Sequence, residues 1–253
     1  MLDPDRFVVS DTAWEKVAPL LPGKPTDPGA TGKDNRMFLE AVLWRVRTGA
    51  PWRDLPGAFG KWNSVFQRFR RRAKGGVFER VFACLSDEPD FEYALIDGTI
   101  VTAHHKASGA RGGPQAQAIG RSRGGLATKI VALADALGSL VRFVPLPGQR
   151  HDTVGVPPLI GGVAFGALLG DEAFDVDWIG ADLDARGAAA VIPPKASRNG
   201  RFDFDRAMHG WRHLIENTFA KLKEFRAVAT RYDKTDASYA ATIHLAAAVI
   251  ASR

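Results

Sequence analysis

Along the first ninety residues the apolar positions recur at helical spacing. Trp14, Val17 and Ala18 follow Asp11, which can cap a helix, and Pro19 and Pro22 stop it. Residues 23–33 are rich in Gly and Pro and read as a loop. Met37, Leu39, Val42, Leu43 and Val46 form the apolar side of a second helix, capped by Asp34 or Asn35 and ended by Gly49-Ala-Pro51. A turn-rich connector over 52–62 leads into a helix over 61–74, and a short helix over 77–86 closes the region. Helix, turn and second helix in this order suggest a helix-turn-helix-like module.

From Phe91 the period changes to two. Residues 91–101, 129–135 and 140–146 alternate as strands, the last two joined by a hairpin turn at 136–139. A helix follows over 152–162, then an apolar run over 165–174 that ends in acids. A helix over 176–187, a short strand over 188–194 and a polar connection over 195–206 come next. His209 to Phe225 predicts a long helix with Leu214, Ile215, Phe219, Leu222 and Phe225 inward, and 236–251 a last, Ala-rich one. The pattern predicts two domains: an all-helical one over 1–90, and an α/β one over 91–253 with a mixed sheet flanked by helices.

Composition bounds the function. The 45% of hydrophobic residues excludes global disorder. One cysteine, Cys84, excludes a disulfide framework and a cysteine-based zinc finger, and fits a reducing compartment. The N-terminal residues lack the apolar run of a secretory signal, and Ile243 to Ile250 is too short to span a bilayer, so a cytoplasmic protein is expected. The net charge of +6 is modest, but it is concentrated. Residues 61–74 carry four Arg and two Lys with no acid; they include Arg68, Arg70, Arg71, Arg72 and Lys74. Residues 104–129 carry Lys106, Arg111, Arg121, Arg123 and Lys129, again with no acid. Residues 212–234 carry six Lys or Arg against three acids. Each run alone is equally a solvated face; together they suit a polyanion such as DNA. Trp62, Phe66 and Phe69 favour a helix at 61–74 that packs one face and offers phosphate contacts on the other.

Several motifs fail on context. Gly120-Arg-Ser-Arg-Gly124 has the spacing of a nucleophile elbow, but no buried strand precedes Ser122 and no helix follows. His209 and His213 lack the glutamate of a metalloprotease, and His104-His105 has no third ligand near in sequence. Three carboxylates stand out instead. Asp97 lies inside an apolar strand, Asp171 ends another, and Glu216 shares a helix face with Arg212 and Lys223. Glu172, Asp175 and Asp177 rival Asp171, and Arg212–Glu216–Lys223 is also an ordinary ion-pair ladder. Two strand-borne aspartates and a helix-borne glutamate can converge on a pair of Mg²⁺ ions and support in-line phosphoryl transfer.

The sequence resembles the DDE transposases of bacterial insertion sequences, specifically the insertion sequence 5 family, nearly end to end. The resemblance rests on RTGAPWRDLP and FGKWNSVFQRFRRRAKGGVFERVF, then on IDGTIVTAHHKASGARGG, GRSRGGLATKIVALADALG, LPGQRHDT, LLGDEAFD and HLIENTFAKLKEFRAVATRYDK. It implies an RNase H-like catalytic fold with Asp97, Asp171 and Glu216 as catalytic residues and ligands of two Mg²⁺, or Mn²⁺. The family's C-terminal signature places Arg, Glu and Lys on Arg212, Glu216 and Lys223; its Tyr position holds His209 here. The resemblance further implies cleavage at terminal inverted repeats, 3′-OH attack on target DNA and a homodimer on double-stranded DNA. The rival readings are a catalytically silent DNA-binding relic or repressor, and a nuclease without strand transfer.

Overall fold

The computed structural model describes residues 8–28, 31–32, 34–199 and 203–252, with the side chain of Gln115 left aside. Parts of the loop over 23–33 and of the connection over 195–206, and the first seven residues, lie outside the described residues. The chain forms two compact units, each assembled from separated segments: 1–87 with 103–113 and 222–253, and 88–102 with 114–221.

The first unit is helical. Ser10 caps α1 (Asp11–Val17) by accepting from Ala13 N; the sequence had suggested Asp11 for that role. Asp34 caps α2 (Asn35–Thr48), and Gly49, in the left-handed region at φ 68°, closes it. The connector folds as two 3₁₀ turns at Trp52–Asp54 and Gly57–Phe59. Then come α3 (Trp62–Lys74) and α4 (Val77–Leu85). The unit also holds α9 (Arg226–Ala229) and α10 (Asp236–Ala251), and α10 packs on α2, α3 and α4. Its apolar centre includes Val17, Phe38, Leu39, Val42, Phe69, Phe78, Val81, Ile243 and Leu245. Arg45 on α2 is ion-paired at 3.0 Å with Asp233, which also accepts from Thr242 of α10.

The second unit is built on a mixed sheet. Strand β1 (Ala94–Ala103) pairs antiparallel with β3 (Gly125–Ala134). The far edge of β3 is shared by β2 (Gly120–Ser122) and then β4 (Leu140–Pro147). On its other side β1 pairs in parallel with β5 (Ala167–Leu169), and β5 with β6 (Ala189–Val191). Three antiparallel strands followed by two parallel ones make the RNase H-like arrangement that the resemblance implied. Helices α5 (Val156–Ile160) and α6 (Asp177–Ala185) bury Val156, Leu159, Ile179 and Leu183 in a core that includes Ile96, Val131 and Leu168. The long helix expected from His209 to Phe225 is interrupted. It runs as α7 (Arg206–His209), a 3₁₀ turn at Gly210–Arg212 and α8 (His213–Lys223). Gly210, a poor helix former, sits at the change. A two-residue strand β7 (Thr230–Arg231) follows α9, an element that carried no periodic signal.

Candidate active site

The sheet register brings the two aspartates level. Leu95 of β1 pairs with Leu169 of β5, so Asp97 and Asp171 each lie two residues further along neighbouring parallel strands. Adjacent strands are about 4.8 Å apart, and the Asp171 charge is close enough to act on the Asp97 carboxyl. Asp171 lies just past the carboxyl end of β5, the usual place of a ligand crevice in such sheets, while Asp97 lies inside β1. Asp171 Oδ1 also accepts from Ala173 N at 2.9 Å, turning the chain sharply after β5.

Glu216 arrives from α8, which is docked on the β3–β4 turn. Thr218 Oγ1 donates to Gly138 O. Gly138 sits at φ 78°, and a Cβ there would meet Leu214 Cβ at 2.9 Å. Only glycine permits both that backbone conformation and that approach. Asp135 Oδ1 holds the turn by accepting from Leu137 N and Ser139 N.

Arg212 joins the carboxylates. Its Nη1 donates to Asp97 Oδ2 at 2.8 Å and its Nη2 to Glu216 Oε1 at 2.6 Å. Asp97 Oδ1 also accepts from Gly98 N at 2.7 Å. Burial pushes the Asp97 carboxyl above the usual aspartate range, with the nearby Asp171 charge adding to it; Arg212 and Gly98 N pull the other way. The side chain of Asp97 is 15% exposed and that of Glu216 55%, so the pair opens to solvent on the helix side.

The rivals of Asp171 are placed differently. Asp175 and Asp177 both pair with Arg198, at 2.6 and 2.8 Å, and Glu172 is exposed. Of the expected DNA contacts, Arg70, Arg71 and Lys74 are exposed on α3, while Arg72 is buried and Arg68 half-buried. Arg121 and Arg123 are exposed on β2 and its turn. Lys129 pairs with Asp152 at 3.0 Å and donates to Arg150 O. Lys223, the last residue of α8, is half-buried and its ammonium pKa is lowered by that burial; it belongs to the first unit. The nucleophile-elbow reading fails in three dimensions too, since Ser122 lies in the β2–β3 hairpin. The sequence places Arg212 on the Glu216 face and assigns it to DNA phosphate; its bond to Asp97, 115 positions away, has no local signal.

The donor set of Asp97, Asp171 and Glu216 is all carboxylate oxygen, the chemistry of hard divalent cations, and its kind fits such an ion. A partly buried carboxylate with a raised pKa and a second carboxylate charge acting on it also favour a cation. Among the described residues, no three acidic, imidazole or thiol groups converge within ligating reach. The cation now standing between Asp97 and Glu216 is the Arg212 guanidinium.

Two family models match the chain: "Putative transposase of IS4/5 family" over residues 9–82 and "Transposase DDE domain" over residues 89–251. An uncharacterized protein of Sinorhizobium fredii, y4sN, is 41% identical over 40% of this chain and 81% of its own length. The "Putative transposase for insertion sequence element IS6501" of Brucella ovis is 33% identical over 49% of this chain and 98% of its own. Among solved structures, the piggyBac transposase synaptic complex with hairpin DNA aligns at a TM-score of 0.50 and 14% identity. That alignment covers 97% of this chain and 73% of the other, a likeness of fold.

Proposed function

The chain belongs to the DDE-domain transposases of the IS4/5 type, and on that premise we propose that it cuts DNA at terminal inverted repeats and joins the freed 3′ ends to target DNA. The observation that supports the reading best is that Asp97 on β1 and Asp171 just past the neighbouring parallel strand β5 are near enough for one charge to act on the other. DNA binding is assigned to residues 1–90 and catalysis to 91–253. In the cytoplasm, two copies would act on two element ends.

Asp97, Asp171 and Glu216 would hold divalent magnesium, as two ions or with manganese in their place, which when bound supplies Lewis-acid stabilisation of the attacking and leaving oxygens. The protein's own groups prepare that site. Gly98 N fixes one oxygen of Asp97. The 3₁₀ turn after β5 fixes one oxygen of Asp171. Arg212 neutralises two carboxylates in the absence of substrate, and its planar fork equally suits a DNA phosphate. Arg121, Arg123 and Lys129 extend the phosphate contacts, and Arg68, Arg70, Arg71, Arg72, Lys74 and Lys223 supply them in the helical unit.

The test is strand transfer on the element's own ends with Mg²⁺. Asp97→Asn should bind those ends normally and lose joined product by at least about a thousandfold, the scale on which removal of an essential catalytic group is felt. Full joining by that variant ends the proposal. Arg212's hold on Asp97 and Glu216 gives the silent DNA-binding relic its specific support. That reading wins if the ends are bound but never cut with Mg²⁺ or Mn²⁺. Cut ends without joined ones would mean a nuclease.

A further inference from the structure

A groove of about 1290 Å³ opens in the first unit, lined by the segment after α1, the start of α2, the turn at 58–61, α3 and α4. Its walls carry Lys24, Lys61, Arg68, Arg71, Arg72 and Arg80 against two acids, Asp27 and Asp34. Both acids are engaged locally. Asp27 accepts from Gly23 N and Lys24 N and pairs with Lys24 at 3.3 Å. Asp34 caps α2 through Met37 N. The arginines are therefore in clear excess.

Two of them are fixed in advance. The guanidiniums of Arg68 and Arg72 lie over the Phe38 ring at 4.4 and 4.2 Å. Both donate to Asn35 Oδ1, at 2.6 and 2.9 Å, and Arg72 also donates to Pro22 O. Arg72 is only 7% exposed, yet its Nη1 has no hydrogen-bond partner among the described residues. Burial, together with the charges of Arg68 and Arg71, pulls its pKa down to about 10. A buried charged donor left unpaired is costly, and an anion relieves both that cost and the mutual repulsion.

We propose that this groove is a built phosphate site that takes one phosphodiester of the DNA backbone, held by Arg72 and Arg71 while Met37, Phe59 and Val65 line the space for the sugars. The inference rests on the DNA-acting reading for the source of its phosphate. It changes the geometry of contact expected from α3: the decisive phosphate enters an inward groove, and Arg70 and Lys74, which do not line it, contribute only diffuse attraction. Arg72 and Arg68 are already ordered, so little side-chain entropy is lost on binding.

The experiment uses the full chain and duplexes of the element end, each carrying one neutral methylphosphonate linkage. At one linkage wild-type affinity should fall about tenfold, while Arg71→Met and Arg72→Lys, weakened already, should lose nothing further there. Arg71→Met should also lower the salt slope by about 1, whereas Arg72→Lys, which keeps its charge, should leave the slope unchanged. Melting temperature checks that both variants fold, and Arg71→Met, an exposed position, stands if Arg72→Lys does not. Losses that add at every linkage overturn the proposal. So does a site that inorganic phosphate alone fills, shown by a melting shift absent in Arg72→Lys without coupling to any linkage. Strand transfer is measured in parallel. Coupling without joining leaves the groove and removes the catalytic reading; joining without coupling does the reverse.

Discussion

At Gly98 an added methyl group would sit 2.3 Å from Asp152 Oδ1, on the face of β1 opposite Asp97. Asp152 in turn is held by Lys129. Gly98→Ala must therefore displace the Asp152 carboxylate from its pair with Lys129, or move the strand that carries Asp97. Overpacking of this kind costs about 1–3 kcal/mol. We expect a lower melting temperature and strand transfer reduced at least about tenfold, for the reason that small misplacements of reacting groups are expensive, with end binding retained. A second residue speaks to pH. His244 is stacked on Phe82 at 5.8 Å, and burial lowers its pKa to about 4. A depressed histidine binds fewer protons folded than unfolded, so its contribution is intact above about pH 6.5 and is lost as pH falls towards 4. Urea midpoints at pH 7 and pH 4.5 should differ in the wild type, and His244→Phe should shrink that difference.

At the scale of elements, the periodic segments were legible and the irregular ones were not. Helices α2, α3, α4 and α10 and strands β1, β3 and β4 announced themselves through apolar spacing and caps. Asp97 stood out because a carboxylate inside an apolar strand contradicts its surroundings, whereas only the family resemblance singled out Asp171 among Glu172, Asp175 and Asp177. What could not be read was register. Nothing local says that Leu95 faces Leu169, and that pairing alone makes the two aspartates neighbours. The inward turn of Arg72 was equally hidden, since its side chain is held by Asn35 and Pro22, far away in sequence. The tie of α2 to α10 through Arg45, Asp233 and Thr242 is another long-range device. Asp233→Ala leaves Arg45 buried and uncompensated, at a cost of about 3–5 kcal/mol. The unfolding free energy from denaturant titration should fall by that amount. A change within about 0.5 kcal/mol would mean that water replaces the pair.

At the scale of the molecule, both compact units are discontinuous in sequence. The helical unit takes α1 to α4 from one part of the chain and α9 and α10 from another, more than a hundred residues later. Removing 236–251 should therefore abolish DNA binding although every residue of the basic helix α3 remains. Circular dichroism of that truncated chain should show lost helix beyond the sixteen residues of α10 itself. Unchanged binding would show that α1 to α4 stand alone.

That interleaving sets an order of events during synthesis. The ribosome delivers α3 and its arginines early, but the surface that completes their packing, α10, is made only after residues 114–221 have been made. A nascent chain thus carries its basic helix before the helix that packs against it. The helical unit is complete only once the segment bearing Asp171 and Glu216 exists, so the proposed grip on DNA cannot precede the proposed catalytic residues.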